Sequence, residues 1–257
     1  MQFAFVDNER VSAAREMEAL CPGCSQPVIS ICGKQRIWHW RHRSKVNCDR
    51  WWESETEWHR AWKNKFPLEW QECIQHDTSG EKHIADVQTR HNLVIEFQHS
   101  FLDPQERAAR EHFYKNMVWV VSGTRLKGDY QRFRKGQFTR TNQNGAFLAP
   151  HPDKCFPAAW LESTVPVFFD FKEIAAPDSP DATRELLWCL LPGRAAGNAV
   201  VIAISRPDFV LEASNHPTLL PAHEIVKNFA RQIEGQRAAE MPRMPNQFLP
   251  RRRSRRF

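Results

Sequence analysis

Two sets of residues in this chain have types and spacing that could do chemistry: sulfur and imidazole groups near its start, and carboxylates further on. Cys21-Pro-Gly-Cys24 is followed, after fourteen residues, by His39-Trp-Arg-His42. Two donor pairs, each with two residues between its members, suit tetrahedral Zn²⁺: each pair forms a tight turn and an intervening hairpin brings the pairs together. The insert Pro27 to Ile37 is rich in β-branched residues, with Gly33 at the turn, as such a hairpin requires. Cys48 is an alternative fourth ligand in place of His39 or His42. A redox role would have the cysteine pair open a helix, whereas Ser25, Gln26, Pro27 and a strand-like run follow it. The metal would be structural, with a binding free energy on the order of 10 kcal/mol driving the folding of a piece too small to fold alone.

The carboxylates lie in Ile84-Ala-Asp86-Val-Gln88 and Leu93-Val-Ile-Glu96-Phe-Gln98, two strand-like runs joined by a turn near Arg90 to Asn92. Leu93, Ile95 and Phe97 share one face of the second strand, and Glu96 and Gln98 the other. Asp86 on the partner strand can then lie near Glu96. Two carboxylates among apolar neighbours make a site for a hard cation such as Mg²⁺. Taken alone, acidic residues in a hairpin are usually just solvated. Upstream, residues 51 to 66 read as a helix, with Ser54 and Glu57 as a capping box. Its apolar stripe is Trp58, Trp62 and Phe66; its polar stripe is Glu55, His59 and Lys63.

Together these motifs resemble the PD-(D/E)xK nucleases, and more narrowly the competence protein CoiA-like nuclease family. The resemblance rests on Asp86 with Glu96-x-Gln98, on Glu55-x-x-x-His59-x-x-x-Lys63, on Ile95-Glu-Phe-Gln-His-Ser100 with Arg110-x-x-x-Tyr114, and on the cysteine and histidine pairs. It runs over about residues 18 to 122 and, loosely, to Phe171. What it implies is an α/β (α+β) fold: a restriction-endonuclease-like core of a mixed sheet flanked by helices, behind an N-terminal zinc-ribbon-like module. In that core a helix, a short antiparallel meander, a second helix and a final strand surround the site. Asp86 and Glu96 would bind Mg²⁺ or Mn²⁺, with Glu55 supplied by the first helix and His59 and Lys63 completing the catalytic set. Gln98 stands where the wider superfamily has lysine, a substitution usual in this subfamily. A neutral amide orients water but supplies no positive charge, so Lys63, Arg110 or a second metal would have to compensate.

The elements that must position these groups divide the chain into a zinc-binding module at 1–50, a nuclease-like domain at 51–175, a C-terminal α/β extension at 176–241 and a basic tail at 242–257. From about 67 to 121 the pattern is strand, strand, helix, strand, with further strands at Val165 to Phe171, Leu186 to Leu191 and Ala199 to Ser205, and a helix at Ala222 to Ala239. The second helix opens at Asp103-Pro104. On it Arg107 and Arg110, with Tyr114 beyond, are candidates for contact with DNA; ion pairs to Glu106 and Glu111 are the bland alternative. Seven of the ten tryptophans fall between Trp38 and Trp70. Their spacing favours a packed seam between zinc module and first helix over a platform for unpaired bases.

The net charge of +6 is concentrated in the tail: Ile225 to Phe257 carries nine Lys or Arg against two Glu. Arg251, Arg252, Arg253, Arg255 and Arg256 are therefore candidates for phosphate contact. Seven cysteines with no apolar leader in Met1 to Arg15 argue against a disulfide framework and for a cytoplasmic protein. No run is long and apolar enough for a membrane span. The expected function is a metal-dependent DNA nuclease in DNA processing or in defence against foreign DNA. The alternative is a catalytically weak nuclease-fold protein that binds DNA in uptake and recombination. DNA is the expected partner, with a protein partner or a second copy of the chain as further candidates.

Overall fold

The computed structural model describes residues 1–44, 48–51, 53–172 and 181–240. The chain opens with β1 (Phe3–Val6), β2 (Glu9–Ser12), β3 (Glu18–Leu20), β4 (Pro27–Ile31) and β5 (His39–His42). They form an antiparallel sheet in the order β2-β1-β3-β4-β5, over a small core of Ala4, Ala19, Val28 and Trp40. Then come α1 (Glu57–Lys63), β6 (Gln71–His76), β7 (Lys82–Gln88), β8 (Val94–Gln98), α2 (Pro104–Tyr114), β9 (Met117–Ser122) and α3 (Lys127–Lys135). They are followed by β10 (Thr139–Arg140), β11 (Ala146–Ala149), β12 (Val167–Asp170), β13 (Leu186–Leu190), β14 (Ala199–Ser205), α4 (Arg206–Asn215) and α5 (Ala222–Glu240).

The nine later strands make a single mixed sheet, β10-β11-β14-β13-β12-β9-β8-β7-β6, in which β8, β9 and β12 run parallel. The C-terminal extension feeds β13 and β14 into this same sheet, between β12 and β11. β9, Met-Val-Trp-Val-Val-Ser, is buried along its whole length, because helices cover both faces of the sheet and leave no side for alternation. One face packs Ile95, Phe97, Val118 and Val120 under Trp58 and Trp62 of α1, Phe209 of α4 and Phe229 of α5. The other packs Trp119, Val121 and Phe169 under Tyr130 and Phe133 of α3. The protein is thus a mixed α+β structure with two sheets and, among the described residues, five α-helices.

Three sequence-based expectations change. Helix α1 starts later than expected: Thr56 is its N-cap, the hydroxyl accepting from the His59 N–H at 3.3 Å, so Ser54 and Glu57 form no capping box. Glu55 lies before the helix, drawn onto Arg60 and Lys63 by ion pairs. The tryptophans do not join the helix to the N-terminal module either. Trp58 and Trp62 are clamped onto the large sheet, their indole N–H groups both donating to the buried Asp170 carboxylate at 3.2 and 2.9 Å. Trp40 instead fills the core of the small sheet. No described helix is long and apolar enough to cross a membrane. The tail arginines Arg251, Arg252, Arg253, Arg255 and Arg256 lie outside the described residues.

Candidate functional site

The first candidate centre is built by one turn, one strand and one loop. Residues 21–24 fold back tightly: Ser25 N–H donates to Cys21 O at 2.8 Å and Cys21 N–H to Gln26 O at 2.9 Å, with Ser25 in the left-handed region (φ 55°). This sets Cys21 and Cys24 beside His42, on β5, and Cys48. The donor atoms of Cys21, Cys24, His42 and Cys48 all lie within 4.8 Å of one another, with Cys21 Sγ 3.6 Å from Cys48 Sγ and Cys24 Sγ 3.2 Å from His42 Nε2. Three sulfurs and one imidazole are the donor set of a tetrahedral zinc site, so this cluster could bind zinc. A thiolate is already favoured within it: hydrogen bonding from Cys48 brings Cys21 down to about 5, while Cys48 is pushed up.

His39 is not part of the cluster. A tight turn over H-x-x-H would make it a ligand, but the two histidines sit on a strand, where residues three apart face opposite sides. The ring of His39 bonds instead to Ile37 O at 2.9 Å. Cys48, the alternative ligand, takes its place.

The second candidate centre forms where β7 and β8 part. Their ladder pairs Gln88 with Val94 and Val87 with Ile95; continuing that register sets Asp86 opposite Glu96. There the backbones separate and the side chains take over the hydrogen bonds. Glu96 Oε1 accepts the Asp86 N–H at 3.1 Å, and Asp86 Oδ2 accepts the Phe97 N–H at 2.9 Å. Asp49 fills the next step, accepting the Ile84 N–H at 2.8 Å. Opening the ladder leaves a cavity of about 80 Å³ lined by Asp86, Glu96, Glu55, Lys63, Glu72 and Arg110, among others.

Cations flank the carboxylate pair. Lys63 Nζ lies 2.7 Å from Glu55 and 3.0 Å from Glu72, and Arg110 Nη1 lies 3.3 Å from Glu96. Both cations are almost wholly buried. Burial pulls the Lys63 ammonium down, but Glu72, Glu55 and Asp86 outweigh it and raise it above its ordinary value. Burial, and then the neighbouring Asp86, pushes Glu96 up to about 8. Asp86 is raised as well, chiefly by burial, against the opposing pull of Lys63 and His59. Glu72 is held down to about 2: burial acts against its charge, but Lys63 and the Gln2 N–H favour it more. Burial and mutual repulsion thus disfavour charge on both Asp86 and Glu96, while Lys63 and Arg110 beside them act the other way.

The expected site residues are divided by the structure. Asp86, Glu96, Gln98, Glu55, His59 and Lys63 all border the cavity. Glu55 does not complete a carboxylate triad, because Arg60 and Lys63 hold it; among the described residues no carboxylates belong to a three-donor cluster. His59 is fixed between the Thr56 hydroxyl at 3.0 Å and Phe97 O at 2.5 Å, which locks α1 to β8. Gln98 gives its amide N–H to Glu53 at 2.8 Å and to the Ser100 hydroxyl at 3.0 Å. Of the candidates for DNA contact on α2, Arg107 is buried against Glu111 at 2.6 Å, and Arg110 against Glu96 and Glu106. Tyr114 borders the cavity, its hydroxyl raised well above the ordinary value by burial and then by Glu96. Glu53, Glu72 and Asp49 border the same cavity without having been singled out by sequence. Glu72 stands on an edge strand with little alternation, and Asp49 and Glu53 lie in irregular chain, so no periodicity marks any of them.

No curated protein and no solved structure matches the chain. Residues 4–50, which hold the small sheet and the cysteine and histidine cluster, match the family model of the N-terminal domain of competence protein CoiA.

Proposed function

We propose that the protein is a divalent-metal-dependent DNA nuclease with a zinc-stabilised N-terminal module. One observation carries the reading: Asp86 and Glu96 face each other across an opened ladder, each holding a backbone N–H of the other strand, with Lys63 and Arg110 beside them. Carboxylate oxygens are the donors that Mg²⁺ and Mn²⁺ prefer. When bound, such an ion neutralises the phosphodiester, activates a water and stabilises the leaving oxygen. The chain's own part is to fix the two carboxylates through backbone bonds, to keep Lys63 charged at a position that offsets the missing lysine at Gln98, and to hold Gln98 oriented through Glu53. The likeness of residues 4–50 to the CoiA domain supports a competence-related role, in which DNA is processed during uptake or recombination.

A binding protein without strong catalysis is the second reading. It is favoured by the capture of Glu55 in ion pairs and by the tie between Gln98 and Glu53.

The test is cleavage of plasmid, linear and single-stranded DNA with Mg²⁺, Mn²⁺ or EDTA. The nuclease reading expects cleavage that EDTA, Asp86→Ala and Glu96→Ala each reduce by a factor on the order of 10² or more. DNA binding should survive those substitutions. Wild-type protein that binds DNA and never cuts it with either ion favours the second reading.

A further inference from the structure

Beside the carboxylate cavity lies a second one, of about 270 Å³, at the carboxyl ends of the parallel strands β8, β9 and β12. We propose that this cavity receives one unpaired nucleobase of a single-stranded DNA substrate, with Phe101 stacking on the base and Arg125 meeting the adjoining phosphate. The inference rests on the nuclease reading of Asp86 and Glu96 and names the substrate class which that site takes.

Position comes first. Ligands of open α/β sheets bind outside the carboxyl ends of parallel strands, where the connecting loops diverge. Here the loops are those following Gln98 and Ser122. Gln98 borders the carboxylate cavity and Ser100 the second one, and the Gln98 amide donates to the Ser100 hydroxyl, so the two cavities share a wall. A nucleotide in the second cavity would therefore adjoin a phosphate at the first.

The lining fits a base. Ligand pockets run upward from about 300 Å³, so this one suits a single ring system rather than a large ligand. At its edge Phe101 is 66% exposed and Leu126 is 49% exposed. A bare phenyl ring beside a cleft is a stacking surface that accepts any base. Two polar atoms of the lining are buried with no partner among the described residues: His99 Nδ1 and Arg132 Nε. A base edge offers acceptors to such a guanidinium N–H, and a donor or an acceptor to a neutral imidazole. His99 is kept toward its neutral form, first by burial and then by the charges of His59 and Arg125. Arg125 is exposed and has no ion pair among the described residues, unlike the arginines of α2, which are buried against carboxylates. An intact duplex keeps its bases stacked inside, so the cavity selects single-stranded, frayed or flipped DNA.

The test uses the full-length protein in EDTA, so that binding is read without cleavage. A single-stranded oligonucleotide carrying one 2-aminopurine is titrated while anisotropy and fluorescence are followed, beside a blunt hairpin duplex. The expected result is quenching of the 2-aminopurine on binding, and weaker binding of the duplex. Phe101→Ala should weaken single-strand binding about tenfold and abolish the quench, while Phe101→Tyr retains both. Arg125→Ala should weaken binding and flatten its salt dependence by close to one phosphate contact. Leu211→Ala, an exposed apolar position elsewhere, should change nothing. If Phe101→Ala binds and quenches as wild type does, or the duplex binds as tightly with the same dependence on Phe101, the proposal is overturned. Cleavage by wild type alongside that result would sink this inference alone. Phe101-dependent single-strand binding by a protein that never cuts would sink the nuclease reading and leave the base site standing.

Discussion

Lys63 is the residue on which the electrostatics of the carboxylate cavity turn. Its ammonium is buried between Glu55 and Glu72, with Asp86 close enough to raise it further. A buried lysine left alone would lose its proton; here three carboxylates keep it charged. Glu72 is the reciprocal case, held down to about 2 from an ordinary 4.5. Because its folded value is the lower one, its contribution to stability is present above about pH 4.5 and lost as pH falls through about 2. The full contribution is on the order of 3 kcal/mol. Chemical denaturation of wild type and Glu72→Gln across pH 2 to 6 should therefore show a gap that is widest near pH 6 and closes toward pH 2. A gap constant with pH would mean that Glu72 does not carry this charge. Gln98 shows what a single position can hide. Its neutral amide was legible as a departure from lysine, but its partner Glu53 was not, because that contact joins residues 45 apart in sequence.

At the scale of the elements, the N-terminal sheet with its cysteine and histidine cluster makes the sharpest division between what spacing predicts and what geometry requires. The cysteine turn and the β4–β5 hairpin were legible from Cys21-Pro-Gly-Cys24 and the β-branched run after Pro27. The fourth ligand was legible only as a choice, Cys48 standing as the alternative to His39 or His42. H-x-x-H on a strand points its histidines apart, and only the loop carrying Cys48 closes the site. Cys48→Ser and His42→Ala should each abolish stoichiometric zinc in the purified protein, measured by metal analysis. His39→Ala should keep one zinc per chain. Loss of zinc from His39→Ala, or its retention in Cys48→Ser, would restore the other ligand set. Helix α2 was legible at its start: Asp103 caps it, accepting from the Gln105 N–H at 2.8 Å, with Pro104 in the first turn. Its arginine face was legible in part: the pairs Arg107–Glu111 and Arg110–Glu106 follow from four-residue helical spacing, whereas only the fold brings Glu96 to Arg110. Strand β6 was not legible, because its side chains are mostly half-buried and its sequence, Gln-Glu-Cys-Ile-Gln-His, does not alternate. Helix α3 lacks a side-chain cap. Helix α4 follows β14 without a break, so Ser205 is at once the last residue of the strand and the cap of the helix.

For the whole molecule, the small sheet and the large one are joined around the site rather than merely linked by chain. The carboxylate of Glu72, on β6, accepts the N–H groups of Gln2 and Phe3 at 2.7 and 3.1 Å. Arg10 reaches Leu68 O, and Asp49 accepts the Ile84 N–H within β7. Since these contacts involve residues that border the cavity, losing zinc should be felt there: removing the metal with a chelator should lower the melting temperature of the whole protein, not of residues 1–50 alone. The basic segment after Pro242 was legible only as charge. Deleting residues from Arg251 onward should weaken binding to DNA of any sequence and flatten its salt dependence, because such contacts are to phosphate. Unchanged affinity at low salt would assign the tail another purpose. The mixed sheet was legible piecemeal, strand by strand, from apolar runs such as Met117 to Val121. Its order, with the last strand β14 inserted beside β11, is fixed by pairings across long stretches of chain that no local pattern records.

Divalent-ion binding at Asp86 and Glu96 is read most directly by titrating Mn²⁺ into zinc-loaded protein and following the free-ion signal by electron paramagnetic resonance. The account predicts a saturable site in wild type that Asp86→Ala and Glu96→Ala each remove, with zinc content unchanged. Mn²⁺ binding that is the same in all three proteins, or absent from wild type even with DNA present, would contradict it.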